Sequence, residues 1–154
     1  MRHSLRPRWP DQQESGMTQV ISPNGFVPDS FAQARPVPLA EYAGQGALMM
    51  APTDDPGAVS LHFDTLSFIV IPFASSADGR GFSLAGSLRA LGYMGHLRAQ
   101  GHVLVDQFRA ALRCGFDDVE ISADQAQRNP EAQWTAVPFV PGYQTHLFAQ
   151  EGPR

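Results

Sequence analysis

An α/β fold is what this sequence predicts: a single domain around a small, mostly parallel sheet of alternating strand–helix–strand units. Three observations carry that expectation. Residues 68–73, FIVIPF, form an unbroken apolar, β-branched run of the kind found in a strand buried on both faces. Two stretches of helical spacing follow, Phe82, Leu84, Ala85, Leu88 and Leu91, then Leu104, Phe108, Ala111 and Leu112. Short strand-like segments separate and follow those helices. The order is strand, helix, strand, helix, strand, which favours parallel strands joined by helical crossovers.

Residues 1–40 carry six of the thirteen prolines and show no sustained periodicity. They read as a flexible or extended leader, with Met17 as an alternative start, ahead of a single domain over residues 41–154. Residues 46–52 have the look of a short strand, and Thr53-Asp54-Asp55-Pro56-Gly57 is a strong turn signal. After the strand ending at Phe73 comes a loop over residues 74–81. The first helix follows from Phe82, with Gly92 where a helix would stop. Residues 96–99 are a short strand between Gly95 and Gly101. The second helix spans about 103–114, with Asp106 in its first turn and Gly115 as its stop. Residues 118–122 supply a further strand through Val119 and Ile121. Asn129-Pro130-Glu131 opens a short helix through Trp134. Pro138 and Pro141 then impose an extended course, and Leu147-Phe148 offers a last apolar anchor. The expected architecture is a small open sheet or an incomplete barrel-like arc, since a full eight-stranded barrel needs far more chain.

With 43% apolar residues, the chain can build a core. No run of about 18 apolar residues suggests a transmembrane helix. The opening MRHSLRPRWPDQQ is basic but lacks the apolar stretch of a secretory signal, so a cytoplasmic protein with no membrane partner is expected. A net charge of −4 argues against a nucleic-acid partner, which would need a basic surface. All eleven basic residues other than histidine are arginine. Without lysine there is no Schiff-base chemistry and no lysine general base. The single cysteine, Cys114, builds no intrachain disulfide, CxxC pair or multi-cysteine cluster. At a helix C-terminus its thiolate is disfavoured, and an inert thiol is expected. The histidines show no HxxxH or HxH spacing, so no metal site is expected. The residues point to no particular cofactor.

The candidate site follows from the strand order, because ligands of a parallel sheet bind beyond the carboxyl ends of its strands. Asp78-Gly79-Arg80-Gly81-Phe82-Ser83 falls at one such edge. Read as a site, its glycines let the backbone approach a ligand, the helix start favours an anion, and Arg80 adds a bidentate clamp. Asp78 would cap the helix or orient Arg80. Read as structure, the same residues are a glycine-rich turn with an N-cap. The next edge carries Gly101-His102, with Asp106 and Gln107 one turn on and Arg98 on the preceding strand. Together these residues would form one anion-binding rim of Asp78, Gly79, Arg80, Gly81, Ser83, Arg98 and Gln107. His102 or Asp106 would then handle a proton, as catalytic residues. The alternatives are a solvent-exposed loop histidine and a first-turn acid paired with an arginine.

The elements DGRGFS, then LR, then GY-x-G-x-LRA-x-G-x-VL-x-DQ, then LRCGFD stand in one order between residues 78 and 117. That pattern resembles an uncharacterised bacterial family labelled as an oxidoreductase of sulfite reduction and encoded beside nitrite and sulfite reductases. The resemblance covers residues 47–122, and Tyr143-Gln144 resembles the family's tail. It lands on Asp78, Gly79, Arg80, Gly81, Ser83, Arg89, Arg98, Gly101, Asp106, Gln107, Gly115 and Phe116. It implies work in assimilatory sulfite reduction, either as an oxidoreductase or as a non-catalytic accessory. The implied partners are sulfite or nitrite reductase, its electron donor, and a small anion such as sulfite.

Overall fold

The computed structural model describes residues 17–77 and 79–136. Seven strands form one mixed sheet: β1 (Thr18–Ser22), β2 (Gly25–Val27), β3 (Val37–Pro38), β4 (Gly46–Met49), β5 (Leu66–Phe73), β6 (His96–Gly101) and β7 (Asp118–Ser122). Their order across the sheet is β2-β1-β7-β6-β5-β4-β3. The four pairings from β3 to β7 are parallel, and β1 joins β7 and β2 antiparallel. This is the mostly parallel α/β sheet that the strand–helix alternation predicts.

The crossovers from β4 to β7 run steadily in one direction across the sheet. A 3-10 segment, Pro56–His62, links β4 to β5; α1 (Arg80–Ala90) links β5 to β6; α2 (Val105–Cys114) links β6 to β7. Connections of one hand between successive neighbours put the linking elements on one face. The core shows that face: Leu48, Ile69, Ile71, Leu97, Ala99, Val119 and Ile121 pack with Leu84, Leu88, Phe108 and Leu112 of the helices. After β7 come α3 (Ala123–Arg128), capped by the Ser122 hydroxyl, and α4 (Glu131–Thr135), whose Trp134 is buried edge-on against Phe108.

Residues 17–40 supply β1, β2 and β3, with turns at residues 23–24 and 30–33 between them. The sequence shows no periodicity there because the strands are only two to five residues long, and one partner of β1, β7, is remote in sequence. β2 stands at one edge of the sheet, where the Glu131 carboxylate accepts from the Phe26 N–H at 2.7 Å and occupies a donor that an edge would otherwise expose. The expected features at Pro138, Pro141, Tyr143, Gln144, Leu147 and Phe148 lie outside the described residues.

Candidate functional site

The carboxyl ends of β5, β6 and β7 meet the loops that follow them on one side of the molecule. At the end of β6, Gly101 has φ +113°, and a Cβ there would stand 2.5 Å from the Phe73 carbonyl oxygen, so only glycine fits. His102 donates its backbone N–H to the same carbonyl at 3.0 Å. This tight turn delivers His102 to the edge and starts α2 three residues later.

Two glutamines stitch the loops together. Gln107 accepts from the Leu104 N–H at 3.0 Å and donates from Nε2 to the Ser76 carbonyl at 2.6 Å, joining α2 to the loop after β5. Gln125, buried in α3, donates from Nε2 to the Val103 carbonyl at 2.6 Å, joining the loops after β6 and β7. Between them lies a cleft of about 500 Å³, lined by Ser75, Ser76, His102, Leu104, Arg128 and Asn129, with Ala74 and Gln125 completing the wall. It has hydroxyls, an amide, an imidazole and a guanidinium, a donor set suited to an oxyanion.

Of the residues singled out from sequence, His102 lines this cleft and Gln107 holds one of its walls. Asp106 is exposed in the first turn of α2 and is not part of the lining. α1 begins at Arg80, two residues before its apolar periodicity, because Arg80 and Gly81 occupy a first turn that needs no apolar side chain. Gly79 is its N-cap, without a side-chain capping bond. Gly79, Arg80 and Ser83 are exposed; Gly81 is buried, and a Cβ on it would meet the Phe73 ring at 2.5 Å. Gly81 thus lets α1 sit close on β5. Asp78 lies outside the described residues. Ser75, Ser76, Gln125, Arg128 and Asn129 were missed. The signal for the last three was the third carboxyl edge, after β7, which the strand–helix alternation places beside the other two.

Arg98 stands elsewhere than on the rim. It is 1% exposed, in the middle of β6, on the sheet face opposite the helices. Its Nε and Nη2 donate to the two carboxylate oxygens of Asp118 at 2.8 and 3.1 Å. Its Nη1 donates to Asp29 at 2.9 Å and Glu120 at 3.2 Å. The guanidinium also lies over the rings of Phe68 and Phe31, which stack on each other at 4.2 Å. His96 reaches Asp118 at 2.8 Å, and Gln100 donates to Glu120 at 3.1 Å. Burial works against the charge on Arg98, but the hydrogen bonds and charge of Asp118 and then Asp29 outweigh it, and the pKa is raised above its ordinary value. Burial likewise works against the Asp118 carboxylate, yet hydrogen bonds from His96 and Arg98 hold its pKa below the usual range. The register explains the difference from the sequence reading: Arg98 pairs across with Asp118 and Val70, so its side chain rises from the sheet instead of reaching its edge.

Arg89 is equally committed. It donates to the carbonyls of Gly115, Tyr93 and Gly95 and to the Asp117 carboxylate, all at 2.9 Å. One side chain thereby ties the end of α1 to the turns before β6 and β7. Burial pushes the Cys114 thiol up, in keeping with an unreactive cysteine.

Fold and site together define an α/β protein with a one-sided helical layer over its parallel strands and a polar cleft at their carboxyl edge. The chain belongs to the family described as bacterial protein of unknown function (DUF934), whose model matches residues 47–152. Neither the curated proteins nor the solved structures compared with the chain gave a match. Among the described residues, no helix is long and apolar enough to cross a membrane.

Proposed function

We propose that this protein binds a small anion in its carboxyl-edge cleft and acts beside the redox step of assimilatory sulfite reduction in the cytoplasm. The observation that carries the reading is the meeting of His102, Arg128, Ser75, Ser76 and Asn129 around one cleft of about 500 Å³, at the edge where parallel sheets bind ligands. The sulfite part of the reading rests on the resemblance carried by DGRGFS and the motifs after it. Arg128 supplies charge and the hydroxyls and amide supply donors. The His102 imidazole, on the cleft wall, is the residue placed to transfer a proton to or from a bound ligand.

A second reading is a non-catalytic accessory that docks on the reductase or its electron donor. What favours it is the commitment of Arg98 and Arg89 to internal partners, which leaves the family's arginine-bearing pattern largely structural. Growth of a deletion strain on sulfate, sulfite and sulfide tests the shared part of both. Rescue by sulfide but not by sulfite places the defect at sulfite reduction; normal growth on sulfate rejects both. Complementation with His102→Ala/Arg128→Ala separates them, since the cleft is needed only in the first.

A further inference from the structure

We infer that the cleft takes an organic oxyanion, an apolar body carrying a phosphate or sulfonate head, and that Leu104 is the wall on which that body rests. This rests on the reading of the cleft as an anion site and names the class of its ligand.

Size is the first argument. A cleft of about 500 Å³ falls within the range of small-molecule and cofactor sites. At roughly 30 Å³ per water-sized group, it exceeds several-fold what a bare sulfite or phosphate occupies.

Leu104 is the second. It is 48% exposed, so burial in the core does not account for an apolar residue there. It is also the N-cap of α2, a position where leucine is among the poorest choices and serine, aspartate or asparagine among the best. It offers the helix no side-chain acceptor, and Gln107 reaches back to its N–H instead. Neither core packing nor helix capping explains the leucine. It does line the cleft, together with Ala74, in the same cavity as the cationic and hydroxyl groups. Among the described residues, the ion pair of Arg128 is a long, exposed one with Asp124, at 3.6 Å, so its guanidinium can turn to a head group at little cost.

The test is a thermal-shift titration of the full chain with two sets of probes. One set is inorganic: sulfite and phosphate. The other carries phosphate or sulfonate heads on larger bodies: adenosine 5′-monophosphate, flavin mononucleotide and benzenesulfonate. At least one organic probe is expected to bind about tenfold tighter than the inorganic anion of its head type. Leu104→Ser should abolish that advantage while leaving the melting temperature of the free protein unchanged or higher, because serine caps the helix. Arg128→Ala should weaken both sets. If the inorganic anions bind as well as the organic ones, or Leu104→Ser leaves the advantage intact, the inference falls and the anion site stands. If no probe in either set shifts the melting temperature, the anion site falls and takes the inference with it.

Discussion

The guanidinium of Arg98 is answered by Asp118, Asp29 and Glu120, and its removal would leave Asp118 in a buried site beside His96 without its main counter-charge. Breaking a buried ion pair from one side costs about 3–5 kcal/mol, because the remaining charge stays desolvated. Arg98→Ala is therefore expected to lower the unfolding free energy by that order in urea titrations, whatever it does to activity. An effect within about 0.5 kcal/mol, the range of surface substitutions, would return Arg98 to the candidate ligand groups. The same cluster sets an acid limit. The pKa of Asp118 is below its ordinary 3.8 in the folded protein, so its contribution to stability is full above that value. It is lost as pH falls through the depressed folded value. Melting temperature should drop steeply below about pH 3.8, and Asp118→Asn should flatten that part of the profile. The sequence held a clue to this face. His96, Arg98 and Gln100 alternate with Leu97 and Ala99, as Asp118 and Glu120 alternate with Val119 and Ile121. Two adjacent strands with polar residues at every second position mark a polar sheet face, and that period-two signal outweighs proximity to a loop.

The elements from β5 to β7 were legible because each has its own periodicity and a glycine where its helix ends. Their boundaries shifted by a turn or less: α1 starts at Arg80, and β6 extends to Gly101. The geometry of the candidate cleft was legible only in part. His102 and Gln107 follow from the edge after β6, whereas the contribution of α3 depends on a tertiary contact, the Gln125 amide on the Val103 carbonyl. The turn at Gly101 holds this arrangement. Gly101→Ala would force a left-handed conformation on alanine and drive its Cβ into the Phe73 carbonyl. A cost of about 1–3 kcal/mol is expected by calorimetry, with displacement of His102 and loss of anion binding. Unchanged binding in a folded Gly101→Ala protein would separate the cleft from that turn. Gln107→Leu removes one tether without such strain. It should loosen the loop around Ser76, seen as faster amide hydrogen exchange there than in β5.

At the scale of the whole molecule, one sheet serves two ends. Its helical face holds the apolar core, its opposite face holds the Arg98 cluster under Asp29 and Phe31, and its carboxyl edge holds the cleft. What the sequence hid is mostly non-local. β1 sits beside β7, about a hundred residues away in the chain, and no local pattern in TQVIS announces that pairing. Placing β1 there gives Glu120 a buried neighbour in Val20 and helps to enclose the ionic face. Under the proposed function the charges divide accordingly: those on the sheet face stabilise the fold, and those at the edge would meet the ligand. The most direct test is residue-resolved amide chemical shifts of the full chain during titration with sulfite and with the organic anions above. Shifts should concentrate at residues 74–76, 102–104 and 125–129, with Asp29, His96, Arg98 and Asp118 unmoved. Shifts centred on Arg98 and its carboxylates, or on residues 79–83 with the cleft silent, would contradict the assignment.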